Sequence, residues 1–222
     1  MTLHADEAGR RRHLVVLGVA SVVLVATTLV ARGGLTSLEV EAFRAVNELP
    51  QSLQTVIWPF MQYGTFITIP ALAVIALVFR RFRLALAMLL AGIGVYLLAL
   101  VIKDFVQRAR PGALLTGVEG REVFGKGSLG FPSGHAAVAG ALTVVVAAHL
   151  SRRWALAALA LGVVVLFGRI YVGAHLPLDV IGGAALGAIG GATANLVIGA
   201  TGGDVATASD QLAAPPNRSS NT

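Results

Sequence analysis

Residues 84–111 read LALAMLLAGIGVYLLALVIKDFVQRARP. The run from Leu84 to Ile102 carries no charge and is long enough to cross a bilayer, which takes roughly 20 apolar residues. It is followed at once by Lys103 and then by Arg110-Pro111. Charged groups placed against apolar spans are costly, so their presence points to use. The stretch therefore sets two expectations together: a membrane helix, and a polar site at one end of it.

Five further stretches resemble the first: Leu14–Ala31, Thr55–Phe79, Pro132–Leu150, Trp154–Val172 and Leu178–Ile198. The pattern predicts an all-α, polytopic membrane protein with six transmembrane helices in a bundle. Pro59 and Pro70 are expected to kink the second span. Leu14–Ala31 is longer than a signal-peptide core, and Leu29-Val30-Ala31 is a poor cleavage site, so the first span reads as a retained anchor.

Composition agrees. The 222-residue chain is 56% hydrophobic and 13% charged, where a soluble domain has about 25% charged residues. Its net charge of +6 fits membrane topology and anionic headgroups, not nucleic acid. The absence of cysteine excludes disulfides and thiol catalysis. The chain divides into an N-terminal segment 1–13, a membrane domain 14–200 and a polar tail 201–222 expected to be disordered. No internal repeat is visible.

Basic residues set the expected orientation. Arg10, Arg11 and Arg12 precede span one, Arg80, Arg81 and Arg83 join spans two and three, and Arg152 and Arg153 join spans four and five. With six alternating helices these fall on one side, which the positive-inside rule makes cytoplasmic, together with both termini. The protein is then a multi-pass cell-membrane protein. Lys103, Arg110, the Pro132–His135 segment, Arg169, His175 and Asp179 all fall on the outer face. On that face Thr36–Leu49, with capping-box spacing between Thr36 and Glu39, reads as an interfacial helix with an apolar side of Leu38, Ala42, Phe43, Val46 and Leu49. Gly183, Gly187 and Gly191 form a small-residue stripe expected to pack span six against a neighbour within the chain. His4 and His13 read as exposed, His149 as interfacial and Asp104 as a solvated flank. Glu119, Arg121, Glu122 and Lys126 lie in the loop 112–130, which is either solvated or a cover for the site.

The outer-face residues suit a phosphate ester. Lys103, Arg110 and Arg169 supply cations, with Arg favoured for its planar fork. Ser133 and Gly134 lie at a helix start, where free backbone N–H groups favour an anion. Pro132 suits such a start. His175 and Asp179 are four residues apart, so the carboxylate can orient the ring and leave its other nitrogen to attack. His135 remains to protonate the leaving oxygen. A purely structural alternative pairs Arg169 with Asp179.

These motifs, Lys103-x6-Arg110-Pro111, Pro132-Ser133-Gly134-His135 and Arg169-x5-His175-x3-Asp179, resemble the three signatures of the type-2 phosphatidic acid phosphatase superfamily in order and spacing. The resemblance covers spans three to six. It implies a membrane phosphatase with no metal and no cofactor, acting on a lipid phosphate or a polyprenyl pyrophosphate. It implies a phosphohistidine on His175 oriented by Asp179, with His135 as general acid. Lys103, Arg110, Ser133, Gly134 and Arg169 would hold the phosphoryl oxygens. One departure is Gly168, where the family usually has Ser, and it is expected to remove one hydroxyl donor. Two alternatives stand beside hydrolysis: phosphotransfer to an alcohol through the same intermediate, and a non-catalytic lipid-binding or transport role. Substrate identity and oligomeric state are not encoded in these motifs.

Overall fold

The structure is a computed structural model that describes residues 2–123 and 128–199, with side chains from residue 7 onward. Lys126, the tail 201–222 and the side chain of His4 lie outside the described residues. Those residues are all-helical: α1 Thr2–Arg32, α2 Ser37–Asn47, α3 Gln54–Met61, α4 Thr68–Val78, α5 Phe82–Val106, the single turn α6 Pro111–Leu114, α7 Gly134–His149, α8 Arg152–Tyr171 and α9 Pro177–Ile198.

Four of these are long and apolar enough to cross a membrane: α1 from Glu7, α5, α8 and α9. The structure departs from the six expected stretches in two places. The second stretch is not one helix. Gln51–Gly64 and Thr68–Val78 meet at a 68° bend and make a fifth span only if counted as one broken element. The fourth stretch forms the shorter α7, 16 residues long.

The bend has a local cause. Pro59 lies inside α3 and Pro70 in the first turn of α4, the position where a missing N–H costs nothing. Between them the Gln62 carbonyl leaves the α-helical ladder and accepts Thr65 N–H in a tight turn at 2.9 Å. The hydroxyls of Thr65 and Thr68 donate to it at 2.8 and 2.6 Å. Irregular backbone at this depth is tolerable because side chains satisfy it.

Helices α7 and α9 form the centre. A Cβ added at Gly183 or Gly187 would collide with the Ser133 or Ala137 carbonyl, and one at Gly191 would lie 2.8 Å from the Ala141 carbonyl. The glycine stripe thus lets two backbones touch, and its neighbour is α7 within the chain. Around this pair Ile69, Ala87, Ala91, Val138, Leu142, Val145 and Leu186 form the main apolar core. Outward-facing apolar side chains such as Val22, Val78, Leu97 and Val163 stay exposed. That suits a lipid-facing surface, where a hydrocarbon solvent removes the penalty for exposing them.

One end of the bundle collects the basic residues. Arg12 donates to the Ala147 carbonyl and Arg81 to the His149 carbonyl, while Arg83 donates to the Ile198 and Gly199 carbonyls at 2.8 and 2.9 Å. They meet the carbonyl ends of α7 and α9, where cations are favoured. His13 is buried, not exposed as expected, and His149 is buried at the same end.

Helix α2, expected to be interfacial, also has a packed inner face. Leu38 and Ala42 are exposed, and the buried face is Glu39, Phe43 and Asn47. Two of those three are polar, so α2 is a packed element whose inner face makes hydrogen bonds.

Gly187→Val forces a branched side chain into the α7 backbone. It should destabilise the fold by about 3 kcal/mol, the upper end of ordinary overpacking, and lower the detergent-solubilised unfolding temperature. An unchanged melting temperature would mean the two helices are not this close.

Candidate active site

The other end of the bundle is built by three chain reversals. Helix α5 stops at Gln107, which takes a left-handed conformation (φ 55°). The chain then runs beside residues 128–130. Gly130 N–H donates to the Arg108 carbonyl at 2.6 Å, and Ala109 and Leu129 form an isolated antiparallel bridge. From the last turn of α5, Lys103 Nζ donates to the Leu129 and Gly130 carbonyls at 2.9 and 3.1 Å. This tie links the first motif to the second.

The second motif begins α7. Ser133 is its N-cap, with Oγ accepting from Ala136 N–H at 3.4 Å, while Ser133 N–H donates to the Asp179 carbonyl at 2.9 Å. Gly134 opens the helix with free space where a side chain would stand. His135 follows, half-buried on the same turn.

The third motif spans the end of α8 and the start of α9. The Arg169 carbonyl accepts from both Ala174 and His175 N–H at 3.1 Å, folding the turn back so that arginine and histidine share one volume. Arg110 closes it from the first motif, donating to Ser128 Oγ and to the Ala174 carbonyl at 2.8 Å each. Arg169, Arg110, Lys103 and His135 all act electrostatically on His175. All eight residues expected at the site therefore lie at this end: Lys103, Arg110, Ser133, Gly134, His135, Arg169, His175 and Asp179.

His175 is 2% exposed, and its Nε2 lies 3.4 Å from Arg110 Nη1. A guanidinium only donates, so Nε2 is the accepting nitrogen and the proton of a neutral ring sits on Nδ1. Burial, then the charges of Arg169, Arg110 and Lys103, hold the ring's pKa well below the ordinary histidine value. The ring is neutral at pH 7, with a lone pair directed toward the cations.

The expected His175–Asp179 contact differs in detail. Nδ1 to Oδ2 is 3.6 Å, longer than a hydrogen bond, and buried Nδ1 has no hydrogen-bond partner among the described residues. The carboxylate is engaged elsewhere. Oδ1 accepts from Arg108 Nη1 at 2.9 Å and Oδ2 from Leu176 N–H at 2.9 Å. The structural alternative, an Arg169–Asp179 pair, does not form. Arg169 Nη1 instead pairs with Glu122 Oε2 at 2.8 Å.

Sequence reasoning missed Arg108 altogether and gave Glu39 only a capping role. Thr36 does cap α2, accepting from Glu39 N–H at 3.2 Å. The Glu39 carboxylate turns to Arg108 and to Leu178 N–H instead. The available signal was charge: Arg108 is a third cation between positions 103 and 110, on the side where the positive-inside rule expects few.

The first part of the loop, residues 112–123, is fastened over this end. Arg121 donates to the Asn47, Leu49 and Tyr171 carbonyls and stacks 4.2 Å over the Tyr171 ring. Asn47 exchanges hydrogen bonds with the Glu119 backbone at 2.9 and 3.0 Å. Glu122 is thereby delivered to Arg169, while Asp104 is exposed as expected. A side chain at Gly168 would begin 2.9 Å from Met61 Sδ and 3.0 Å from Ile57 Cγ2. The close packing of α3 on α8 accounts for glycine there. Among the described residues no group of three or more His, Asp or Glu side chains is arranged to hold a metal ion.

Comparison with known proteins gives one consistent answer. The profile of the PAP2 superfamily matches residues 80–201. LpxE from Aquifex aeolicus superposes with a TM-score of 0.66 at 26% identity, over 72% of this chain and 95% of that one. The PAP2-type phosphatidylglycerolphosphate phosphatase from Bacillus subtilis superposes with a TM-score of 0.62 over 80% and 94%; at 22% identity this likeness concerns the fold. No curated protein sequence matches.

Arg121→Ala removes several hydrogen bonds and a stacked cation from the loop. Limited proteolysis between residues 112 and 130 should accelerate by about tenfold or more, since local opening loses at least one net hydrogen bond. Unchanged cleavage would show that Arg121 does not fasten the loop.

Proposed function

The chain belongs to the PAP2 superfamily, and on that premise we propose that it is an integral-membrane phosphatase that hydrolyses a lipid phosphate or an isoprenoid pyrophosphate, from the outer face of the membrane. The observation that carries the reading is His175: a buried, neutral ring whose accepting Nε2 faces Arg110, among Lys103, Arg169, His135 and the N-terminus of α7.

The chemistry follows from those groups. The phosphoryl oxygens sit among Lys103, Arg110 and Arg169 and against the Ser133–Gly134 end of α7, displacing the Glu122 carboxylate that now occupies Arg169. An anionic carboxylate is a reasonable stand-in for a phosphoryl oxygen, because both accept charge-assisted hydrogen bonds from a guanidinium. Nε2 of His175 attacks phosphorus. The bond to the leaving oxygen breaks, and that oxygen takes a proton from His135. Burial and the charges of Arg169 and Arg110 hold the His135 pKa of the free protein down at about 3, so the proton it gives is one taken up with the bound phosphate, whose negative charge favours the cationic ring. The ring, already protonated on Nδ1, becomes cationic as the N–P bond forms, and the negative Asp179 stabilises it. Water then gives a proton to His135 and attacks phosphorus, breaking the N–P bond and releasing phosphate and a neutral His175. Cationic groups and helix N–H donors carry the charge stabilisation, so the reaction is expected to need no metal. The basic residues at the opposite end of the bundle support the outward orientation of the site.

Phosphate release by the purified protein, with chelator present, tests the reading against phosphatidate, phosphatidylglycerol phosphate and a polyprenyl pyrophosphate. Release is expected from at least one and should be lost, by a factor of about 10³ or more, in His175→Ala, the usual scale for removing a nucleophile. Full release by the mutant, or transfer only to an added alcohol, would contradict it. The pH profile gives a second expectation. Because the His175 pKa is depressed, the free enzyme keeps its nucleophile as pH falls through 6.5, the ordinary histidine value. The acid limb of kcat/KM should therefore lie below that pH. An acid limb well above it would contradict a neutral buried His175.

A further inference from the structure

Arg108 lies in the spacer between the two cations of the first motif, but its side chain turns inward. It is 5% exposed and inserted between two carboxylates. Nη1 donates to Asp179 Oδ1 at 2.9 Å and to Glu39 Oε1 at 3.0 Å, and Nη2 pairs with Glu39 Oε2. Glu39 is 3% exposed and Asp179 0%. Buried charges persist only where they are paired and their remaining lone pairs are satisfied. Here the satisfaction is nearly complete, since Glu39 Oε1 also accepts Leu178 N–H at 3.1 Å and Asp179 Oδ2 accepts Leu176 N–H at 2.9 Å.

One cation between two carboxylates leaves the cluster with one negative charge in excess. That excess faces the unpartnered Nδ1 of His175, 3.6 Å from Asp179 Oδ2. The carboxylate has little freedom to turn. Arg108 holds one oxygen, and a Cβ at Gly130 would stand 2.9 Å from the other, so the wall on that side is backbone.

We propose that Arg108 and Glu39 are positioning residues, which clamp the Asp179 carboxylate with Oδ2 toward His175 Nδ1 and keep it ionised. The proposal rests on the hydrolytic role of His175 given above. As Nε2 forms its bond to phosphorus and the leaving oxygen departs with its electron pair and the His135 proton, the ring gains a positive charge. The clamped carboxylate balances it, and the Nδ1–Oδ2 separation closes to a hydrogen bond in the reacting complex, as catalytic contacts commonly do. Without Arg108 the two carboxylates would be adjacent like charges, and one would take up a proton. Asp179 would then lose both its orientation and its charge. The clamp also makes α2 part of the machinery, although it lies outside the matched residues 80–201.

The test uses the full chain in detergent with the substrate that releases phosphate best. Arg108→Gln should lower kcat roughly 10- to 100-fold, the worth of one charge-assisted hydrogen bond. KM should stay within about twofold, because the phosphate-facing cations are untouched. Arg108→Lys should recover part of the loss. The double variant Arg108→Gln/Asp179→Asn should be no slower than Asp179→Asn alone, which a merely structural arginine would not produce. If Arg108→Gln does not fold, the near-isosteric Glu39→Gln carries the same cycle against Asp179→Asn. A kcat within about twofold of wild type, losses that multiply in the double variant, or an effect confined to KM would each overturn the proposal. A wild-type protein that releases no phosphate overturns the hydrolytic reading and this inference with it. An active wild type with an undiminished Arg108→Gln overturns this inference alone.

Discussion

The buried guanidinium of Arg108 is the constraint from which the site end of this protein is built. It joins Glu39 of α2 to Asp179 of α9, and both carboxylates are almost fully removed from solvent. Removing one partner from such a cluster would leave a buried charge uncompensated, at a cost of about 3–5 kcal/mol. The same contacts cap α9. Pro177 has no N–H to satisfy, Leu178 N–H goes to Glu39, and Leu176 N–H goes to Asp179. The helix that carries the third motif thus begins at a point fixed by a helix distant in sequence.

A second constraint works with the first. The glycine stripe of α9 lets it approach α7 until backbone meets backbone, and at the top of that contact Ser133 N–H donates to the Asp179 carbonyl. Small residues are used this way in membrane helices because lipid supplies no hydrophobic drive for association. The result is that the N-terminus of α7 and the turn holding His175 cannot move independently. Lys103 ties the end of α5 to the same turn region through the Leu129 and Gly130 carbonyls. Anion-attracting groups from three segments are held by main-chain bonds, which need no reorganisation when charge develops.

Much of this was legible from periodicity and charge. Apolar runs located α5, α8 and α9 within a few residues, because hydropathy at membrane length has few competing explanations. It located the second stretch, and Pro59 and Pro70 marked its kink, but not the 68° size of the bend, which depended on whether Thr65 and Thr68 could reach the Gln62 carbonyl. The apolar side of α2 was legible in the spacing of Leu38 and Ala42, which stay exposed; its polar inner face was not, because the Arg108 that holds Glu39 inward lies 69 positions away. The motif residues converge on one end as expected, but the partners differ. Glu122, not Asp179, sits on Arg169, and Arg108, absent from the motif pattern, holds Asp179. Such pairings join residues 47 and 71 positions apart in sequence, and no local pattern encodes which of several cations meets which carboxylate. Gly168 is the converse case: its meaning emerged only when Met61 and Ile57 were seen pressed against it.

The central claim is that His175 takes the phosphoryl group on its Nε2. The most direct measurement is to mix the protein with a phosphoryl-labelled substrate, quench in alkali, where phosphohistidine persists, and map the label by peptide mass spectrometry. The account predicts label on His175 alone, in the wild-type protein at short mixing times and in a variant with His135 replaced, where both formation and breakdown of the intermediate are slowed. Label on another residue, or substrate consumption with no labelled histidine in either protein, would contradict it.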